Sequence, residues 1–122
     1  MGTGAGEKKP QPVRVEFPGR STGMGAYTQY HIFSLRQRRE IKPHRTEYSR
    51  SGRHWRDIWF LLPGKYFLAW RDVSNSGKHY CGYGALIVEP DGRYYKEKWE
   101  GDPPSWVDLS KVCWCLVPEP EY

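Results

Sequence analysis

Two constellations of residues in this chain have the side-chain types for chemistry. The first is His79-x-Cys81 together with Cys113-x-Cys115, four side chains of the kinds that zinc accepts. Residues two apart on a strand share a face, so two neighbouring strands would bring the four together. The spacing argues against it. Alternate residues of a strand lie ~6.5–7 Å apart, whereas two sulfurs on one tetrahedral zinc lie about 3.8 Å apart. The two-to-four-residue Cys-Cys knuckle is absent. Cysteines acting as small apolar residues account for the same positions. So does one disulfide from Cys81 to Cys113 or Cys115 in an oxidising setting. The reading is no metal and no cofactor, with His79, Cys81, Cys113 and Cys115 as the zinc set to check.

The second constellation is SLRQRREIKPHRTEYSRSGRHWR, residues 34–56. It holds Arg36, Arg38, Arg39, Lys42, Arg45, Arg50, Arg53 and Arg56 against only Glu40 and Glu47. The whole chain has a net charge of +5, so this segment carries more positive charge than the molecule. Seven of the eight cations are arginine, whose planar fork pairs bidentately with phosphate or carboxylate. Closely spaced cations on phosphates release counterions and make affinity salt-dependent. Tyr48 and Trp55 can stack on bases. A solvated loop is the plainer reading of a charge run. The 19 residues between Leu35 and Trp55 are long for a hairpin connection of ~2–5 residues, which favours a working surface. Residues 73–122 run the other way, with eight carboxylates against five cations. Such a polarised chain suits assembly or docking on an acidic protein.

No nucleophile with a base is legible. His54-Trp55-Arg56-Asp57 sets an imidazole near a carboxylate, but positions three apart on a strand face opposite ways. Pro90-Asp91-Gly92 reads as a turn before Tyr94, and Glu97-Lys98 lacks the spacing of nuclease carboxylate–lysine motifs. There is no nucleophile elbow, phosphate loop, HExxH or dinucleotide fingerprint. The expectation is a protein that is not an enzyme, with a small nuclease as the catalytic alternative.

The elements that must position these residues are strands. YTQYHIFSLR puts Tyr27, Gln29, His31, Phe33 and Leu35 on one face and Tyr30 and Ile32 on the other. HWRDIWFLL, KYFLAWRDV, HYCGYGALIVE, RYYKEKW and VCWCLV follow, separated by Pro63-Gly64, SNSG, PDG and GDPPSWVDLSK. Pro63-Gly64 suits a type II turn, and Ser105 is placed to cap one helical turn through Leu109. Gly82 and Gly84 inside a strand imply a bulge, a bend or a close backbone approach. No internal repeat is apparent. The pattern predicts an all-β fold: a small antiparallel barrel or sandwich of six to seven strands. Residues 1–26 are expected to form a flexible N-terminal arm, in which Val13, Val15 and Phe17 alternate as in a short strand or docking arm. Residues 27–122 form the single β-rich domain, with 37–54 as a basic loop or extended hairpin. Hydrophobic content is only 38%, but 6 Trp, 9 Tyr and 4 Phe supply core area, since each ring buries on the order of 150–250 Å². Of the tryptophans, Trp106 in the Pro-rich loop either plugs an end of the fold or anchors a partner. No apolar run approaches the ~18 residues of a membrane span, no signal core is visible, and three cysteines suit a reducing interior. The expected place is the cytoplasm.

Trp114-Cys115-Leu116-Val117-Pro118-Glu119-Pro120 resembles the W-x-P-L-P-E-P ending of a family of small phage and prophage domains of unknown function. Leu62-Pro63-Gly64-Lys65-Tyr66-Phe67-Leu68-Ala69-Trp70 is similar to that family's turn into an aromatic strand, with the glycine displaced. Cys113 stands where the family often has His, and Leu116 replaces its first Pro. The resemblance spans at most 55–122 and implies a bacterial host cytoplasm but no activity. The residues together predict a non-catalytic module that docks through its Arg-rich segment on nucleic acid or on an acidic protein surface, as a phage-type host-factor inhibitor would. The alternative is a virion or assembly subunit, a homo-oligomer held by the arm and basic loop.

Overall fold

The computed structural model describes residues 9–20, 26–74 and 76–112, with Arg20 described for its backbone only. Eight strands run in the order β1 (Val13–Arg20), β2 (Tyr27–Ser34), β3 (Arg39–Ile41), β4 (Arg45–Tyr48), β5 (His54–Leu61), β6 (Gly64–Val73), β7 (His79–Val88) and β8 (Tyr94–Glu97). A short helix, α1 (Leu109–Val112), follows. The strands form two antiparallel sheets, β1-β5-β4 and β3-β2-β6-β7-β8. The fold is an all-β sandwich and not a closed barrel.

Alternation explains the packing. Val13, Val15 and Phe17 of β1 and Trp59 and Leu61 of β5 point inward from the smaller sheet. They meet Ile32, Leu68, Leu86 and Val88 from the larger one. Trp59 is 1% exposed, and its indole N–H donates to the Ile41 carbonyl at 2.8 Å, which satisfies its one polar atom. Phe17 stacks on Tyr30 with ring centroids 4.5 Å apart. The opposite face of the larger sheet is covered as well. Phe33, Phe67 and Ala69 pack with Val107 and Val112, flanked by Trp99 and Trp106. Trp106 is therefore set edge-on to Phe33 on the face of a sheet, at neither end of the sandwich. At the C-terminal end of β2 both faces are covered, Ile32 in one core and Phe33 in the other.

Three expectations change. Residues 13–20 are not a flexible arm: Val15 is fully buried, and β1 pairs along its whole length with β5, from Val13↔Leu61 to Arg20↔His54. Segment 37–54 is neither a loop nor one extended hairpin. It gives β3 to the larger sheet and β4 to the smaller one, crossing between them at 42–44. The helical turn lies at 109–112, beyond Ser105, where the Asp108 carboxylate accepts the Ser110 backbone N–H at 3.1 Å in the manner of an N-cap. Of the expected strand VCWCLV, residues 112–117, Val112 belongs to α1 and 113–117 lie outside the described residues.

Glycines 82 and 84 mark close approaches. A Cβ on Gly82 would sit 2.5 Å from the Trp70 ring, and one on Gly84 would sit 2.7 Å from the Glu97 carbonyl oxygen. β1 is an edge strand, and Tyr94 of β8 closes part of its edge. The Tyr94 hydroxyl accepts the Glu16 N–H at 3.2 Å and donates to the Glu16 carbonyl at 3.3 Å.

Candidate nucleic-acid interface

All eight cations of the basic segment are exposed, but the fold divides them. Antiparallel pairing sends the β2–β3, β5–β6 and β7–β8 turns to one end of the sandwich and the β4–β5 and β6–β7 turns to the other. Arg36, Arg38 and Arg39 belong to the first end, on the turn after β2. Arg50 and Arg53 belong to the second, on the turn between β4 and β5. The expected single basic surface does not form.

Arg45 and Arg56 are engaged within the molecule, on the outer face of the smaller sheet. Glu47 contacts Arg45 at 3.0 Å, Arg56 at 3.7 Å and Arg14 at 3.8 Å. Glu16 contacts Arg56 at 3.4 Å and Arg14 at 3.5 Å. Three cations thus share two carboxylates, and their exposure limits each pair to roughly 0–1 kcal/mol. Lys42 contacts Glu40 at 3.2 Å, and Arg39 donates to Gln37 at 3.0 Å.

Glu40 also bonds the Nδ1 of His31 at 2.8 Å, with both side chains largely buried. Burial alone would raise the Glu40 carboxyl. The His31 hydrogen bond and charge, helped by Lys42, outweigh it and hold the group below its ordinary value. This pair ties β3 to β2.

The second end has the richer assembly. Tyr48 and Trp55 are direct cross-strand partners. Tyr48 is 69% exposed, and Trp55 lies over Gly19, where a Cβ would be 2.1 Å from its Nε1. The two rings stand at the mouth between the sheets. One cleft there is lined by Tyr27, Gln29 and Arg71 of the larger sheet and Thr46, Tyr48, Trp55 and Asp57 of the smaller. On the other side of Trp55 a second cleft is lined by Pro18, Gly19, Ser49, His54 and Tyr94, among others. Hydrogen bonds fix the lining of the first cleft: Thr46 donates to Asp57 at 2.6 Å, and Arg71 donates to Gln29 at 3.0 Å while lying over the Tyr27 ring.

A signal at this end was missed in the sequence. Ser49-Arg50-Ser51-Gly52-Arg53-His54 and Ser74-Asn75-Ser76-Gly77-Lys78-His79 follow one pattern, S-x-S-G-[RK]-H. This short echo corrects the expectation of no internal repeat. The two turns share several bonds but close one residue apart: the Ser49 N–H donates to the His54 carbonyl, the Ser74 N–H to the Lys78 carbonyl. Gly52 and Gly77 take φ of 72° and 83°, and their N–H groups donate to the carbonyls of Ser49 and Ser74. In each, the first serine hydroxyl bonds the second at about 3 Å (3.1 and 2.9 Å). The same hydroxyl also accepts a backbone N–H, from His54 or Lys78. One turn comes from each sheet and both lie at the same end of the sandwich, Arg50, Arg53 and His54 on or beside the first and Lys78 and His79 beside the second.

The zinc set does not survive intact. Cys81 is disulfide-bonded, which removes the thiolate a metal needs; Cys113 and Cys115 lie outside the described residues. No group of three or more His, Cys, Asp or Glu fit to hold a metal ion occurs among the described residues. No helix among them is long and apolar enough to cross a membrane. Compared with family models, curated proteins and solved structures, the chain matches none.

Proposed function

We propose that the protein is a non-catalytic nucleic-acid-binding module that uses the mouth between its sheets. The observation that carries this reading is the Tyr48–Trp55 cross-strand pair, at the end of the sandwich where both cation-bearing hairpin turns lie. The rings offer bases a stacking surface worth ~1–3 kcal/mol per base. Arg50, Arg53 and Lys78 lie within reach of phosphates and carry no carboxylate partner among the described residues. Arg45 and Arg56 are held by Glu16 and Glu47 and contribute shape more than free charge. Duplex DNA would keep its bases from the rings, so the ligand is single-stranded. The assembly alternative loses support, because the apolar residues of its arm are core. The reducing cytoplasm expected from the cysteine count is opposed by the bonded state of Cys81.

Fluorescence anisotropy with a labelled mixed-sequence single strand tests the reading. Affinity should fall linearly in log salt and drop about tenfold or more in Trp55→Ala. An absence of binding at low salt, or equal binding by Trp55→Ala, overturns it.

A further inference from the structure

The opposite end of the sandwich carries a separate feature that nucleic-acid binding does not use. A groove runs between the turn after β2 and the β5–β6 turn, with a cavity volume near 830 Å³. Its walls are largely apolar. Phe60 and Leu62 are 43% and 48% exposed, beside Leu35, Ile41 and Pro63. A large exposed apolar side chain is informative where several adjoin in a concavity.

The groove is also rigid. The Tyr66 hydroxyl donates to the Leu62 carbonyl at 2.6 Å and fixes one lip. The Ser34 hydroxyl accepts the Gln37 N–H at 3.0 Å and fixes the other. The Trp59–Ile41 bond anchors the floor. A groove already shaped loses little ordering entropy on binding.

Charge selects the occupant. The charged residues lining the groove are Arg36 and Lys65, and no carboxylate lines it. Lys65 is held 4.9 Å from the centroid of the Trp99 ring, while Arg36 is exposed on its turn, next to Arg38 and Arg39. The two rings lining the groove leave little open face for stacked bases: Phe60 is met edge-to-face by His44 at 5.2 Å, and Tyr66 is tied by its hydroxyl to Leu62. We infer that this groove is a second binding site, which takes an extended peptide segment of a partner protein whose apolar side chains alternate with Asp or Glu. The apolar side chains fill the space between Phe60, Leu62 and Ile41, and the carboxylates meet the arginine lip. This inference does not depend on the nucleic-acid reading.

The test is selection from a library of random displayed peptides on the full chain. Binding of selected peptides is then measured by anisotropy on the native protein, Arg36→Glu and Leu62→Ser. Both substitutions are at exposed positions, and near-UV circular dichroism checks that the fold is kept. The expected result is enrichment of acidic–apolar peptides, with a loss of affinity of about tenfold or more in each variant. Replacing the peptide carboxylates with lysine should abolish binding, whereas Trp55→Ala should leave it unchanged. Enrichment of neutral or basic peptides, failure to enrich any, or indifference to both variants overturns the inference. So does a concentration-dependent dimer that Leu62→Ser dissolves, because that outcome gives the groove to a second copy of the chain.

Discussion

The two ends of the sandwich draw arginines from the same sequence run and put them to different use. At the mouth, Arg50 and Arg53 lie on the turn that joins the paired strands of Tyr48 and Trp55, and the β6–β7 hairpin turn shares that end of the sandwich. At the groove, Arg36 borders a largely apolar surface of Phe60, Leu62, Leu35, Ile41 and Pro63 that no carboxylate lines. What separates them is neither charge nor residue type but the crossing at 42–44, which sends β3 to one sheet and β4 to the other. A charge run in a β protein is thus a statement about sequence, and its meaning is fixed only when the strands within it choose partners.

This contrast can be broken from either side. Gly19→Val should have the largest effect. The new side chain meets the Trp55 ring, so the mouth must open or the sheet must shift. A loss of about 3 kcal/mol, or roughly 10 °C in Tm, is expected in chemical and thermal denaturation. Trp55→Ala comes next. It should cost about 2 kcal/mol of single-strand affinity in anisotropy titrations while leaving groove binding intact. An equal loss at both ends would mean that the two regions are one site.

Glu40→Gln acts on the groove end, through β3. The folded protein holds this carboxyl below its ordinary 4.5. Its contribution is therefore full above that pH and fades as pH falls through the lowered value. Urea titrations should show a loss of about 1 kcal/mol at neutral pH and a flatter decline on acidification than in the native chain. The smallest effect belongs to Lys78→Ala. It should lower the salt slope of single-strand binding by about 1 or less with no change in stability. If it changes nothing, the second hairpin is not part of the site.

Much of this architecture was legible in the sequence. The alternation of Tyr30 and Ile32 against His31 and Phe33 gave β2 and its two faces, and the breakers SNSG and PDG marked real turns. β1 was harder, because Val13, Val15 and Phe17 are too few to outweigh the Gly- and Pro-rich residues around them; burial against β5 decides it. β3 and β4 are three and four residues long and dominated by charge, so no periodicity reports them. The site was half visible. Tyr48, Trp55, Arg50 and Arg53 stand together as expected, while Arg36, Arg38 and Arg39 do not join them. Arg45 meets the nearby Glu47, but the fate of Arg56 also depends on Glu16, a residue far away in sequence and adjacent only through β1. Lys78 and His79 were discoverable, since their hexapeptide repeats the one at 49–54.

The Tyr94 hydroxyl is one oxygen that answers both the N–H and the C=O of Glu16. Among the described residues β1 has β5 on one side only, and unpaired backbone groups on an edge form a template on which a foreign strand can add. By occupying the middle of that template, Tyr94 acts as a stopper against runaway sheet growth. A change as slight as Tyr94→Phe leaves the core filled but uncovers the template. A single oxygen at the rim of the sheet thus takes one N–H and one C=O out of the surface on which edges could pair.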